Sequence, residues 1–311
     1  MCDDPRMPDP TWPKTGRPGT AIVNDDVISA DEAMVSVFDR GFLWGDGVYE
    51  VIPCFNGKLF RLADHLERLQ ASLSYVAIDL AMSTEELSIR TERLMLLNSD
   101  LISAHPICRV GHWVSRGFED WGPIYERDQS PTLVSFISPV LRPFGRAVYV
   151  SGVEMTVVAN RRSPPGVVDP RAKITSKMNL IVADIQASST KSLPLLLDQR
   201  GFIAESSTSN IFLVKAGQLL TSRPEWVLGG ITRKAIIEIG RKLDLEVREQ
   251  DLSLIDLADA DEIFLTSSTW GIVPVRAIDH MRPKGGPHRP VTTALMDELA
   301  RLTGFTPDLD G

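Results

Sequence analysis

Long basic tracts, paired cysteines and membrane-length apolar runs are all missing from this chain, and each gap removes a class of protein. The three cysteines, at positions 2, 54 and 108, are odd in number and lack metal-ligand spacing, so neither a disulfide scaffold nor a metal site is indicated. Reduced thiols of this kind fit a cytoplasmic setting. The longest basic cluster is the pair Arg161 and Arg162 within a net charge of −8, which leaves no groove for a phosphate backbone and argues against nucleic acid. No apolar stretch reaches the roughly 20 residues of a membrane-spanning helix. The opening "MCDDPRMPDPTWPKTGRPGT" is polar and proline-rich, so it is expected to be an extension over residues 1–20, neither signal peptide nor anchor. Internal repeats and low-complexity segments are absent as well.

What remains is ordinary globular composition: 311 residues, 43% hydrophobic and 24% charged, enough for two lobes. From Ala21 to Leu62 the pattern reads as strands and turns, with a hairpin marked by Asn56-Gly57 between "DRGFLWGDGVYEVI" and "KLFRL". Leu66, Leu69 and Leu73 form one apolar stripe of a helix, and a second helix opens at Ser83 with Glu86 three residues on, a capping box. Strands are expected at "ICRVGHWVS" and "PTLVSFI". This first α+β lobe spans residues 21–140, followed by a connecting segment at 141–152. The second lobe, 153–311, begins with the strand "VEMTVVA" and breaks at "RRSPPGVVDP". It continues through a helix "KMNLIVADIQAS", strands "LPLLL", "FIA" and "NIFLV", the helix after "LGGIT", the strand and turn "DEIFLTSSTWGIVPV", and a closing helix after about residue 290.

Several of these elements stop at residues suited to holding an anion. "GGIT" sets free backbone N–H groups, the Thr232 hydroxyl and a positive dipole end at the start of one helix. "TSSTWG" presents Ser267, Ser268 and Thr269 in a tight turn, and Arg68 in "DHLERL" carries a fork that binds phosphate bidentately. Each feature singly has an ordinary explanation as cap, turn or solvated charge. A last oddity is the lone carboxylate Glu205 between "FIA" and Ser206, Ser207, Thr208, Ser209 and Asn210, which by itself reads equally as a turn.

The ordered segments "FDRGFLWGDGVYE", "LADHLERLQAS", "PPGVVDPRAK", "AESSTSNIF", "LGGITRKAI" and "DEIFLTSST" together resemble the class IV, fold-type IV aminotransferases, over residues 22–280. That family uses pyridoxal 5′-phosphate and includes branched-chain and D-amino-acid aminotransferases, (R)-amine transaminases and aminodeoxychorismate lyase. The resemblance implies a small N-terminal α/β lobe, a larger β-barrel-like lobe with helices, and a homodimer. It implies that Lys173 forms the Schiff base and moves protons, and that Glu205 lies beneath the pyridine nitrogen with Ser207 and its neighbours around it. By the same matching, Arg68, Ile231, Thr232, Ser267 and Ser268 hold the phosphate and Leu228 packs on the ring. Tyr49, Arg40, Arg109, Trp113, Thr269 and Trp270 line the substrate side. Lys173 precedes Glu205 by 32 residues and Lys177 by 28, against a family spacing of roughly 32 to 34, which favours Lys173. Lys177 departs from the family pattern, and a surface role one helical turn on is its plain alternative.

Substrate choice stays open at this level. The arginine and histidine with which D-amino-acid members bind a carboxylate are replaced by Trp121 and Pro123 in "SRGFEDWGPIY", a loop expected near a cofactor pocket. Arg109 approximates the arginine of branched-chain members, although gapless matching puts Gly111 there. "PPGVVDP" is closer to the (R)-amine enzymes. An aminotransferase acting on a branched-chain or D-amino acid or a primary (R)-amine, with a 2-oxo acid acceptor, is therefore expected, with a fold-type IV lyase as the alternative and an inactive binding relative a third.

Overall fold

In "GVYEVIPCF" Val48, Ile52 and Cys54 are buried while Tyr49 and Val51 between them are half-buried, the two-residue alternation of a strand with its two faces in different surroundings. The computed structural model describes residues 19–122, 130–140 and 147–304. Its first half runs β1 (Thr20–Val23), β2 (Asp26–Ser29), α1 (Arg40–Trp44), β3 (Gly47–Phe55), β4 (Lys58–Leu59), α2 (Leu62–Tyr75), α3 (Thr84–Leu97), α4 (Ser99–Ala104), β5 (Ile107–Ser115) and β6 (Thr132–Pro139). These strands form a six-stranded sheet in the order β2-β1-β6-β5-β3-β4. One face packs Val48, Ile52, Val110, Val114 and Ile137 against Leu66, Leu69 and Leu73 of α2 and Leu87 and Leu94 of α3. Each of these buried aliphatic side chains contributes about 1.5–3 kcal/mol. The other face is turned to the second half of the chain. Ser83 and Glu86 form the capping box expected at the head of α3.

The second half runs α5 (Ala147–Ser151), β7 (Val153–Arg161), α6 (Met178–Ser188), β8 (Leu193–Leu197), β9 (Asn210–Lys215), β10 (Gln218–Ser222), α7 (Ile231–Lys242), β11 (Val247–Gln250), α8 (Leu254–Ala258), β12 (Glu262–Ser267), β13 (Gly271–Ile278) and α9 (Pro290–Thr303). Seven strands pair in the order β11-β10-β9-β12-β13-β7-β8. The ring closes through irregular backbone. Ala204 N donates to Leu196 O on β8 and Ile203 N donates to Leu252 O beyond β11, at 3.0 and 2.7 Å. Met155, Leu195, Ile203, Ile211, Leu213, Leu220, Ile263, Leu265 and Val275 fill the interior of this barrel-like lobe.

Three expectations change. "FIA" is not a regular strand: it makes isolated bridges, Leu197 with Ile203 and Glu205 with Asn210, because it must cross from β8 to β11 while turning Glu205 sideways. Residues 147–151, read as part of a connecting segment, form α5, whose Tyr149 is buried in the barrel core; residues 141–146 lie outside the described residues. The strand-and-turn stretch before Leu62 contains the short helix α1, started by the Asp39 side chain accepting from Gly41 N and ended by Gly45 at φ 65°.

Candidate active site

A cavity of about 1640 Å³ lies between the two sheets, lined by Tyr49, Trp113 and Phe136 on one side and by Glu205, Thr232 and Thr266 on the other. Lys173 is fixed where they meet. Its N–H donates to Ser72 Oγ at 3.0 Å, its carbonyl accepts from Tyr49 N at 3.0 Å, and Thr175 N donates to Gly47 O at 2.9 Å. Residues 173–175 thus pair along the start of β3. Gly47 is required there, since a Cβ would stand 2.4 Å from Val114 O. The Lys173 amine sits 4.5 Å from the centre of the Tyr49 ring and that of Lys177 5.7 Å from it. Burial holds the Lys173 amine below the ordinary lysine range, and the charges of Arg68 and Lys177 push the same way against Tyr49 and Glu50. Burial opposes ionisation of the Tyr49 phenol, but the two lysines outweigh it and shift it downward.

Glu205 is buried, and both its oxygens are held. Arg162 Nε donates to Oε1 at 2.6 Å, Asn210 Nδ2 to Oε2 at 3.0 Å, and Leu228 N to both at 3.2 and 3.1 Å. Arg162 is itself anchored on Pro170 O at 3.3 Å. A carboxylate so placed is aimed by the protein rather than by solvent.

The third wall combines features suited to an anion. The N-cap of α7, Gly230, makes no side-chain cap, so the first N–H groups of a 12-residue helix stay open. A Cβ on Gly230 would stand 2.1 Å from Asn210 Oδ1, so only glycine lets the helix start this close to the Glu205 network. Arg68 reaches across from α2, donating Nη1 to Gly229 O at 2.7 Å and Nε and Nη2 to Glu50 at 2.6 and 2.8 Å. Burial disfavours the Glu50 carboxylate, yet Arg68 and His65 hold it well below the usual range. Lys234 to Asp64 at 2.7 Å and Arg61 to Glu238 clamp α2 to α7. Thr266 Oγ1 is buried with no partner among the described residues.

Of the residues singled out from sequence, Tyr49, Arg68, Arg109, Trp113, Lys173, Glu205, Ser207, Leu228, Ile231, Thr232, Ser267, Ser268, Thr269 and Trp270 all line this cavity. Ser207 Oγ is turned to Asp184 at 2.6 Å. Arg40 is a correction. It does not line the cavity, because its Nε donates to Asp46 at 2.8 Å and its Nη1 to Glu119, while Arg116 shares Asp46. Residues 116–122 do not line it either, Trp121 being exposed and packed on Trp44, and Pro123 falls outside the described residues. Glu50 and Arg162 had not been singled out as site residues, and Gly230 and Thr266 only as members of the segments "GGIT" and "TSSTWG". Glu50 had a legible signal, a carboxylate in register with buried Val48 and Ile52.

A family model described as amino-transferase class IV matches residues 47–278. The chain belongs to the class IV amino-transferases. It is 35% identical over 260 residues to a putative branched-chain-amino-acid aminotransferase of Methanocaldococcus jannaschii, covering 83% of this chain and 87% of that one. It is 31% identical over 291 residues to the D-alanine aminotransferase of Listeria monocytogenes, covering 91% and 97%. Among solved structures, the branched-chain amino acid aminotransferase of Escherichia coli superposes at a TM-score of 0.83 with 26% identity, covering 95% of this chain and 98% of that one. A further branched-chain amino acid aminotransferase of similar fold was solved with pyridoxamine 5′-phosphate. This aminotransferase therefore has the α+β fold-type IV architecture, and its family works with pyridoxal 5′-phosphate. No described helix is long and apolar enough to cross a membrane.

Proposed function

We propose that this aminotransferase binds pyridoxal 5′-phosphate in the cleft through the residues of its three walls, and moves an amino group from an amino acid or primary amine to a 2-oxo acid. The observation that carries the reading is the single cavity shared by a lysine amine held below its ordinary pKa range, a carboxylate bonded at both oxygens, and an uncapped helix start beside an arginine. The donor set fits the cofactor. Arg68, the N–H groups of Ile231 and Thr232, and the hydroxyls of Thr232, Thr266, Ser267 and Ser268 suit a phosphate, while Glu205 suits a pyridine nitrogen and Leu228 a ring face. When bound, the cofactor supplies an aldehyde and an electron sink. The chain's own residues do the rest. Lys173 Nζ would take the proton from the amine-bearing carbon of the donor and hold it for onward transfer, a role favoured by its lowered pKa. Arg162, Asn210 and the Leu228 N–H keep the Glu205 carboxylate aimed, and Tyr49 orients the two lysines at the junction.

We also read residues 21–140 and 153–311 as two domains closing on this cleft, and the active molecule as a homodimer. Phe38 and Phe118 pair at 6.0 Å and Trp44 and Trp121 at 6.3 Å, and all four rings are exposed on one chain, an apolar surface that a second copy would cover. A cytoplasmic setting keeps the buried Cys54 and Cys108 reduced, and burial pushes the Cys54 thiol up to about 11. The reading is tested by a donor panel resolved by enantiomer, with pyruvate and 2-oxoglutarate as acceptors. Amino transfer to either acceptor supports it, and loss of pyruvate from a donor without any acceptor would favour the lyase instead. Sedimentation of the same preparation as a monomer would remove the dimer.

A further inference from the structure

The cleft-facing side of the first sheet carries an aromatic ladder that neither the anion seat nor Lys173 explains. The rings of Tyr49 and Trp113 stack at 4.9 Å and 24°, and those of Trp113 and Phe136 at 5.1 Å and 27°. Register explains the row. Tyr49 on β3 stands opposite Trp113 on β5, and Phe136 on β6 stands opposite Gly111, two residues along β5. Trp113 leans back over Gly111. A Cβ there would meet Trp113 Cζ3 at 2.4 Å and Phe136 Cζ at 3.0 Å, so the missing side chain is what lets the three rings form one surface. All three rings are half-buried and line the cavity, and the Lys173 amine sits over the ring at the near end.

Beyond the Lys173 and Lys177 amines beside Tyr49, charge is scarce on this face. Arg109 lies at its far end, four residues from Trp113 or about 13 Å between α-carbons, with Nε donating to Ser138 Oγ at 2.9 Å. Arg40 is committed to Asp46 and Glu119. A substrate group extending from Lys173 across the sheet meets rings before it meets an arginine.

We propose that this shelf selects amino donors carrying an aromatic or bulky apolar substituent, with Gly111 and Trp113 as the residues that set the preference. The proposal rests on the aminotransferase reading and narrows its substrate class. Stacking on such a surface, added to apolar burial, predicts a preference of about tenfold or more for a phenyl over a small alkyl substituent. The test uses the cofactor-loaded enzyme and compares kcat/KM for 1-phenylethylamine and 2-aminobutane. A second arm measures calorimetric binding of 1-phenylethanol and 2-butanol, which lack an amine and cannot react. The expected result is a ratio of about ten or more in both arms, falling toward one in Trp113→Leu and in Gly111→Val, whose new side chain displaces the Trp113 ring. Phe136→Leu is measured as well, so that loss of folding in one variant still leaves two others to decide the matter. Equal ratios in the native enzyme, or ratios unmoved in the folded variants, would overturn the shelf. Alcohol discrimination without any amino transfer would instead overturn the aminotransferase reading and leave the shelf standing.

Discussion

Replacing Glu50 by glutamine removes one charge and keeps the shape. The carboxylate is 0% exposed, accepts Nε and Nη2 of Arg68 at 2.6 and 2.8 Å, and meets Nδ1 of His65 at 2.8 Å. An amide offers one acceptor and turns its NH₂ toward a guanidinium, so at least one donor is stranded. Opening a buried ion pair from one side costs about 3–5 kcal/mol, and little solvent is present to soften it. The loss extends to the proposed anion seat, because Arg68 also ties α2 to Gly229 ahead of α7. Losing one aimed charge-assisted bond of about 1.5–3 kcal/mol predicts a 10- to 100-fold weaker affinity for pyridoxal 5′-phosphate. Urea unfolding should show a lower midpoint at unchanged slope, and a cofactor titration should show the weaker binding. The sign with pH follows from the depressed carboxylate. Its stabilisation is present above the unfolded value of about 4.3 and fades as pH falls below it, so native enzyme and variant should converge in stability under acid. A variant within about 0.5 kcal/mol of native, with unchanged cofactor affinity, would refute the pairing as the source of both effects.

Lys173→Ala should abolish turnover and the Schiff-base band of the bound cofactor, while Lys177→Ala stays yellow and active; the reverse moves the role to Lys177. Glu205→Gln should bind cofactor yet lose about 10²-fold or more in rate, and near-normal turnover would remove the carboxylate from the chemistry. Gly230→Val drives a side chain at Asn210 Oδ1, 2.1 Å from the ideal Cβ, so cofactor affinity should drop at least about tenfold by titration. An unaltered affinity would mean that the start of α7 is not the phosphate seat.

Much of this site was legible in the sequence because its signals are local. The capping box of α3 needs only Ser83 and Glu86, and the open start of α7 needs only "GGIT". The segments that resemble the family kept their order, so Lys173, Glu205 and Arg68 were found together. What escaped depends on partners distant in the chain. Arg162 stands 43 residues from Glu205, and in the sequence it stood out only as one half of the short basic pair Arg161-Arg162. Arg40 was expected on the substrate side, whereas Glu119, 79 residues on, folds back to meet it. "FIA" had the composition of a strand, but closing the barrel from β8 to Leu252 leaves it only isolated bridges. The aromatic shelf needed the register of β3, β5 and β6, which no single segment encodes.

The central claim is that Lys173, Glu205 and the seat at α7 serve one cofactor in amino transfer. It is tested most directly by adding one equivalent of an amino donor to the cofactor-loaded enzyme with no acceptor present. Loss of the band near roughly 400 nm, with one oxo product per site and full recovery of the band on adding a 2-oxo acid, is the predicted result. A band that never bleaches with any amine, or continuous product release without an acceptor, would contradict it.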